Sequence, residues 1–365
     1  MGVPPPRGPR LRDLGLRIGR FEAGPANAIT DVAGVAVGHV TVWRDEPDPP
    51  TGRGVARTGV TAVVPAPAET LHTHPVPAGT AVLNGAGELT GSLAIREWGL
   101  VETPIYLTST HAVGRVYDGA IAAAVASNPR VGAEDFVIPV VGECDDSWLS
   151  EGRLVQVEAE DAGRAVAAAA AGPVPEGAVG GGTGMMTKGY KAGIGTASRL
   201  TPSIGGAVGV LVQSNFYPPP GLVMDGVPVG DLLGEPSGTR HTKVGSCIAV
   251  VAVDAPLSAR QLERVARRAG LGLARCGSVG HHGSGEIFVA FAPPGRRPRG
   301  EAPLAAVPDP DVNDVFEAVV EATEEAVHNA LWAAPEVVGR EGRIGLALPH
   351  DDVLEILEAH RRLDR

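Results

Sequence analysis

The sequence predicts an α/β protein in which sheets are covered by helices. Three observations carry that reading. Short β-branched runs bounded by Gly or Pro alternate with longer Ala- and Leu-rich stretches. Two of the runs, 206–213 and 246–253, are apolar along almost their whole length, as in strands covered on both faces. At 365 residues, 44% of them hydrophobic, the chain also holds enough apolar material for a large core without cross-links.

The elements follow in order. Residues 35–43 and 59–65 are short, β-branched and bounded by Gly or Pro, and read as strands. Residues 89–98 and 112–126 are helical in composition, 136–141 reads as a buried strand, and 161–171 as an Ala-rich helix. After the strands 206–213 and 246–253 comes an amphipathic helix that Ser258 caps, with Leu262, Val265, Ala266 and Ala269 on one face. Residues 287–292 form another strand, 311–332 a long helix and 349–360 a short terminal one. Two segments break the pattern: the glycine-rich run 177–196, and the Pro/Arg loop 292–304, which is expected at the solvent. No internal repeat is visible, and the length allows two domains or one large one.

Composition excludes several classes. Gly (50) and Pro (32) are abundant without a three-residue period, which means turns rather than collagen. Aromatics make up only 4%, so the core must be built of Val, Ala, Leu and Ile. Lys and Arg (31) are outnumbered by Asp and Glu (42), a net charge of −11, which makes nucleic acid and anionic membranes poor partners. No run approaches the ~18–20 apolar residues of a membrane span. The cysteines Cys144, Cys247 and Cys276 show no CxxC spacing and read as reduced thiols, not as disulfides or a zinc site. The opening segment is basic and Pro-rich, with no apolar stretch after it. It is no secretory signal, and the expected location is the cytoplasm.

Several catalytic signatures are missing. The glycine run fits neither G-x-x-x-x-G-K-[ST] nor G-x-G-x-x-G, and no serine sits in G-x-S-x-G. His72-Thr73-His74 and His281-His282 lack the further ligand and acid that zinc chemistry needs, so neither a metal nor a cofactor is expected.

What remains is Gly245-Ser246, where a hydroxyl residue follows a glycine and opens an apolar strand. A turn followed by a strand is the plain reading. The sharper one is a self-cleaving bond: glycine crowds its own carbonyl little, and the Ser246 hydroxyl attacks it to give an ester that water hydrolyses. The freed Ser246 then carries a hydroxyl and an α-amine of pKa ~7.7–8.0, a proton acceptor near neutral pH. Ser284 and Glu286, two apart before a strand, point to one face and suit a proton relay, though the same pattern serves as an ordinary strand start. Asn215 just after a strand is either a turn residue or an amide donor to an oxyanion. Glu143, beside Cys144, Asp145 and Asp146, is either a solvated acid or the partner of an ammonium group.

Nine stretches in order resemble the L-aminopeptidase/D-esterase and β-peptidyl aminopeptidase family, from about Asn27 to the end. They include Asn27-AITDVAGVAVGH-Val40, Asn84-GAGELTG-Ser92, Glu102-TPIYLT-Ser109, Gly180-GGTGM, Lys191-AGIGTASR, Val244-GSCIAVVAVDAPL, Ser284-GEIFVAF and Ala322-TEEAVHNAL. The resemblance implies a four-layer α/β/β/α sandwich of the N-terminal-nucleophile type, shared in architecture with ornithine acetyltransferase. It implies a precursor cut between Gly245 and Ser246 into residues 1–245 and 246–365, which stay together as one structural domain and assemble as a homo-oligomer, a tetramer of such pairs. Ser246, Ser284 and Glu286 then match the catalytic set, Asn215 the oxyanion donor and Glu143 the acid that holds the substrate's free amine. One departure is Asp145, which stands where some members carry an aromatic residue. The implied activity is hydrolysis of amides, esters or short peptides with a free N-terminal amine. The alternatives are an acyl transferase of the ornithine acetyltransferase kind, which typically uses threonine, or an unprocessed binding protein.

Overall fold

A computed structural model describes residues 5, 7–217, 221–236 and 244–363. In chain order the principal elements are β1 (Ala36–Asp45), β2 (Val55–Val64), β3 (Val76–Gly85), α1 (Ser92–Trp98), β4 (Leu100–Val101), β5 (Ile105–Ser109), α2 (Val113–Ser127), β6 (Val140–Cys144) and α3 (Glu160–Ala167). They continue with β7 (Ile194–Thr201), β8 (Gly206–Asn215), β9 (Val244–Val253), α4 (Ala259–Arg275), β10 (Gly283–Phe291), α5 (Val312–Ala333) and α6 (His350–Ala359).

The strands form a four-stranded sheet in the order β1-β2-β5-β6 and a six-stranded sheet in the order β4-β3-β10-β9-β8-β7. Each contains one parallel pair, β5–β6 and β9–β10. A parallel pair needs a crossover, and α2 and α4 supply the two. The sheets face each other across a core of Val63, Ile105, Leu107 and Cys144 from one side and Leu211, Ile248, Val250, Ile287 and Val289 from the other. Strand alternation sends the remaining side chains outward. Val116, Ala120, Ala162 and Ala165 of α2 and α3 cover the smaller sheet. Leu262, Val265, Ala269, Val319, Ala322 and Ala326 of α4 and α5 cover Cys247, Ala249, Phe288 and Ala290 of the larger. The layers therefore run α/β/β/α, as the resemblance implied.

Two glycines let the outer helices lie close to the sheet. A Cβ on Gly195 would fall 1.9 Å from the Ala326 carbonyl oxygen of α5, and one on Gly79 would fall 2.3 Å from the Glu263 amide nitrogen of α4. The N-terminus of α4 is closed reciprocally, since Ser258 Oγ accepts from the Gln261 amide at 3.3 Å and Gln261 Oε1 accepts from the Ser258 amide at 3.0 Å.

Several boundaries differ from the sequence-based expectation. The expected strand 136–141 is instead Val140–Cys144, because Pro139 has no amide to donate to the ladder, and Phe136 is 57% exposed rather than buried. The helix expected from Leu89 starts at Ser92, after Gly91 turns the chain at a φ of +71°. The Ala-rich helix stops at Ala167, and Ala170 pairs with Val37 instead. The glycine run 177–196 does break the regular elements, and its residues are largely buried.

Candidate active site

The site lies at one end of the sandwich, where strand ends from both sheets meet. In the larger sheet Asn215, the last residue of β8, pairs with Ser246 near the start of β9. Ser246 in turn pairs with Gly285 of β10. Three residues far apart in sequence thus stand side by side in one layer. Alternation places the Ser246 side chain on the inter-sheet face with Ile248 and Val250. There the buried Cys144 thiol faces the Ser246 hydroxyl and the Gln213 carbonyl, whose oxygen is 3.5 Å from Sγ. Burial pushes that thiol up to about 12, so it is a packed group and not a thiolate nucleophile.

Glycine is the only residue type that position 245 accepts. A Cβ on Gly245 would lie 2.8 Å from Phe216 Cα, 2.9 Å from the Asn215 carbonyl oxygen and 3.0 Å from the Tyr217 amide nitrogen, all backbone atoms.

Glu143 lies at the same end of the sandwich, in the strand end of the smaller sheet next to Cys144. It is buried, and its carboxylate accepts from the Glu88 amide at 3.0 Å and from the Thr110 hydroxyl. A Cβ on Gly87 would lie 3.0 Å from Glu143 Oε1 and 3.4 Å from Gly285 Cα, so Gly87 stands between the carboxylate and the residue that pairs with Ser246. Burial raises its pKa, and Asp145 and Glu88 add smaller like-charge repulsions, against the lowering effect of its hydrogen bonds. A cation arriving here would restore the lost solvation.

Ser284 and Glu286 lie on the opposite face of the larger sheet, with Phe288 and Ala290. The Ser284 hydroxyl donates to Glu286 Oε1, while Oε2 is buried with no partner among the described residues. Burial raises the Glu286 pKa, and the Ser284 bond opposes it. Asn84 holds this strand end, donating from Nδ2 to the His281 carbonyl at 2.9 Å and to the Ser284 carbonyl.

The orientation of the Asn215 amide is fixed from both sides. Its Oδ1 accepts from the Met186 amide at 2.9 Å, and its Nδ2 donates to the Asp145 carbonyl at 2.9 Å. The second Nδ2 hydrogen has no partner among the described residues. Thus Ser246 and Asn215 share one row and one face, Glu143 lies at the same end of the sandwich behind the 86–88 segment, and Ser284–Glu286 stand on the opposite face of that strand end. Sequence reasoning did not identify Thr110, Met186 or Asn84. It also gave the glycine run no role, yet small residues are needed there. Cβ atoms on Gly181, Gly182 and Gly184 would lie 2.3–2.4 Å from Gln213 Oε1, the Ile194 amide nitrogen and the Arg57 carbonyl oxygen. The loop threads between the sheets and delivers Met186 to Asn215, which no short motif records.

Comparison with known proteins shows the family and the fold. The sequence model of peptidase family S58 matches residues 27–345. The β-peptidyl aminopeptidase BapA of Sphingosinicella microcystinivorans is 41% identical over 99% of this chain and 95% of its own length. The structure of an L-aminopeptidase D-Ala-esterase/amidase from Ochrobactrum anthropi, described as a prototype of the serine aminopeptidases and a variant of the Ntn hydrolase fold, superposes with a TM-score of 0.90 at 38% identity. That match covers 98% of this chain and 100% of the other. A β-aminopeptidase from a Burkholderia species gives a TM-score of 0.85 at 41% identity, over 96% and 98% of the two chains.

Proposed function

The chain belongs to peptidase family S58 and is a serine aminopeptidase, and from that premise we propose that Ser246 is both the point of self-cleavage and the nucleophile. The observation that carries the reading is the row Asn215–Ser246–Gly285 in one sheet, with the buried Glu143 carboxylate at the same end of the sandwich.

In the first reaction the Ser246 hydroxyl attacks the Gly245 carbonyl carbon. The C–N bond breaks, the α-amine of Ser246 takes a proton, and water then hydrolyses the Gly245 ester. Two chains result, residues 1–245 and 246–365, held together by the sheet pairing of β9 with β8 and β10. In the second reaction Ser246 Oγ attacks an aminoacyl amide or ester whose free ammonium pairs with Glu143. Freed as a chain end, Ser246 rotates about its own bonds and passes its proton to its α-amine or to Ser284–Glu286. Asn215 Nδ2 donates to the oxyanion, a contact typically worth ~3–4 kcal/mol. The leaving amine departs with that proton, and water releases the acyl group. The two-chain unit assembles further into a homo-oligomer.

Ser246→Ala tests the core of this reading. The expected product is one chain near 37.3 kDa with no hydrolysis, against two fragments for the unaltered sequence. An active Ser246→Ala protein rejects it.

A further inference from the structure

We propose that Lys191, enclosed by the glycine-rich loop, is a positioning residue that polarises Asn215 through the peptide unit joining Met185 to Met186. The proposal rests on the reading of Asn215 as oxyanion donor. Lys191 is fully buried, and its Nζ donates to the carbonyl oxygens of Ala192 at 2.6 Å, Met185 at 2.8 Å and Gly182 at 3.2 Å. The Met185 carbonyl belongs to the same peptide as the Met186 amide, which donates to Asn215 Oδ1 at 2.9 Å. The links therefore run in one sense: ammonium to carbonyl, amide to carbonyl, and finally the free Nδ2 hydrogen.

A cation at the head of such a chain draws electron density through each bond and makes the last N–H a better donor. In a low-dielectric interior that effect is not screened by water. Lys191 has no carboxylate partner among the described residues; its ammonium meets only carbonyls. Burial pulls its pKa down to about 7 and the charge of Asp146 opposes this, while the three bonds from Nζ to three carbonyls use the three hydrogens that only the ammonium form has. A neutral donor would bridge two of the same carbonyls without that desolvation, so holding the loop does not by itself account for a charged group here. Its backbone lies in the ribbon with Met186, and the side chain folds back over its own partner.

The test compares Lys191→Gln, a neutral donor, with the parent enzyme, alone and combined with Asn215→Ala. A polarisation of one to three tenths on a donor worth 10²–10³ in rate predicts a fall in kcat of about twofold to eightfold, with KM unchanged within about twofold. In the Asn215→Ala background the same substitution should add nothing, because Lys191 acts through Asn215. An equal slowing in both backgrounds, or no slowing in either, overturns the proposal. Asn215→Ala with an unchanged kcat would instead remove the oxyanion reading beneath it. Should the Asn215→Ala chain stay uncut, the single variant decides: lost kcat with parental KM and melting temperature supports the relay, and a joint change of KM and melting temperature overturns it. Should Lys191→Gln fail to fold, Lys191→Met is scored the same way. If neither folds, the residue is structural and the proposal falls.

Discussion

Ser246 and Ser284 stand on neighbouring parallel strands with their side chains on opposite faces of the sheet. Ser246 pairs with Gly285 and faces the smaller sheet, whereas Ser284 pairs with Gly245 and faces the α4 layer. In the uncut strand the Ser284–Glu286 pair is therefore behind the hydroxyl, not beside it. The two reactions proposed for Ser246 then differ in their need for that pair.

Ser284→Ala and Glu286→Gln should lower kcat for an aminoacyl anilide by ~10²–10⁴, the range of a general acid–base group, while fragments still appear on a denaturing gel. Chains that stay whole in both variants would show that the pair also serves the first attack, and that opposite faces do not separate the two reactions.

Recognition of the substrate amine sets the acid side of the pH profile. Glu143 must be ionised to hold an ammonium, and burial raises its pKa above the usual carboxylate range. As pH falls through that raised value the carboxylate protonates and kcat/KM drops, so the acid limb should lie above that of an exposed glutamate. Thr110→Val removes a hydrogen bond that favours the ionised form, and should move the limb upward. A limb that stays where it was after Thr110→Val would take Glu143 out of amine recognition.

Gly245→Ala tests the close approach behind the proposed scissile bond. Backbone atoms of Asn215, Phe216 and Tyr217 cannot yield to a methyl group as a flexible side chain can. The expected result is loss of register between β8 and β9 at Asn215 and Ser246, seen as a single uncut chain by intact mass. Gly114→Ala is the control, since nothing lies within 4 Å of its added carbon at the start of α2, and it should process normally. Normal processing by both variants would mean that the space around Gly245 is irrelevant to the cut.

Much of this was readable from residue identity alone. The strands 206–213 and 246–253 announced themselves by their nearly continuous apolar character, and α4 by its cap and stripe. β3 did not, because Pro77, Gly79 and Gly85 interrupt it, and Gly79 is there to admit α4 rather than to make a turn. Ser284 and Glu286 were visible as a pair two residues apart. The placing of Glu143 at the same end of the sandwich as Ser246 was not, since it depends on which ends of two sheets meet. Met186 and Lys191 contribute through a backbone peptide, and a main-chain amide leaves no trace in the sequence.

Stability in acid should turn on Glu325. Burial pushes the pKa of this α5 carboxylate up, but Arg12 and Arg199 more than offset that and hold it at about 2. Arg199 is 0% exposed, with Glu325 at 2.7 Å and Glu321 at 3.1 Å, and Asn27 Nδ2 donates to Glu325 at 2.6 Å. A folded-state value below the unfolded one means stabilisation that is complete above pH ~4.5 and lost as pH falls towards ~2. Glu325→Gln should cost on the order of 3 kcal/mol at pH 7, because it leaves Arg199 buried with half its compensation. Urea unfolding of both proteins at pH 7 and at pH 3 measures this, and the gap between them should narrow at the lower pH. A gap that stays constant with pH would assign the loss to packing rather than to the ion pair.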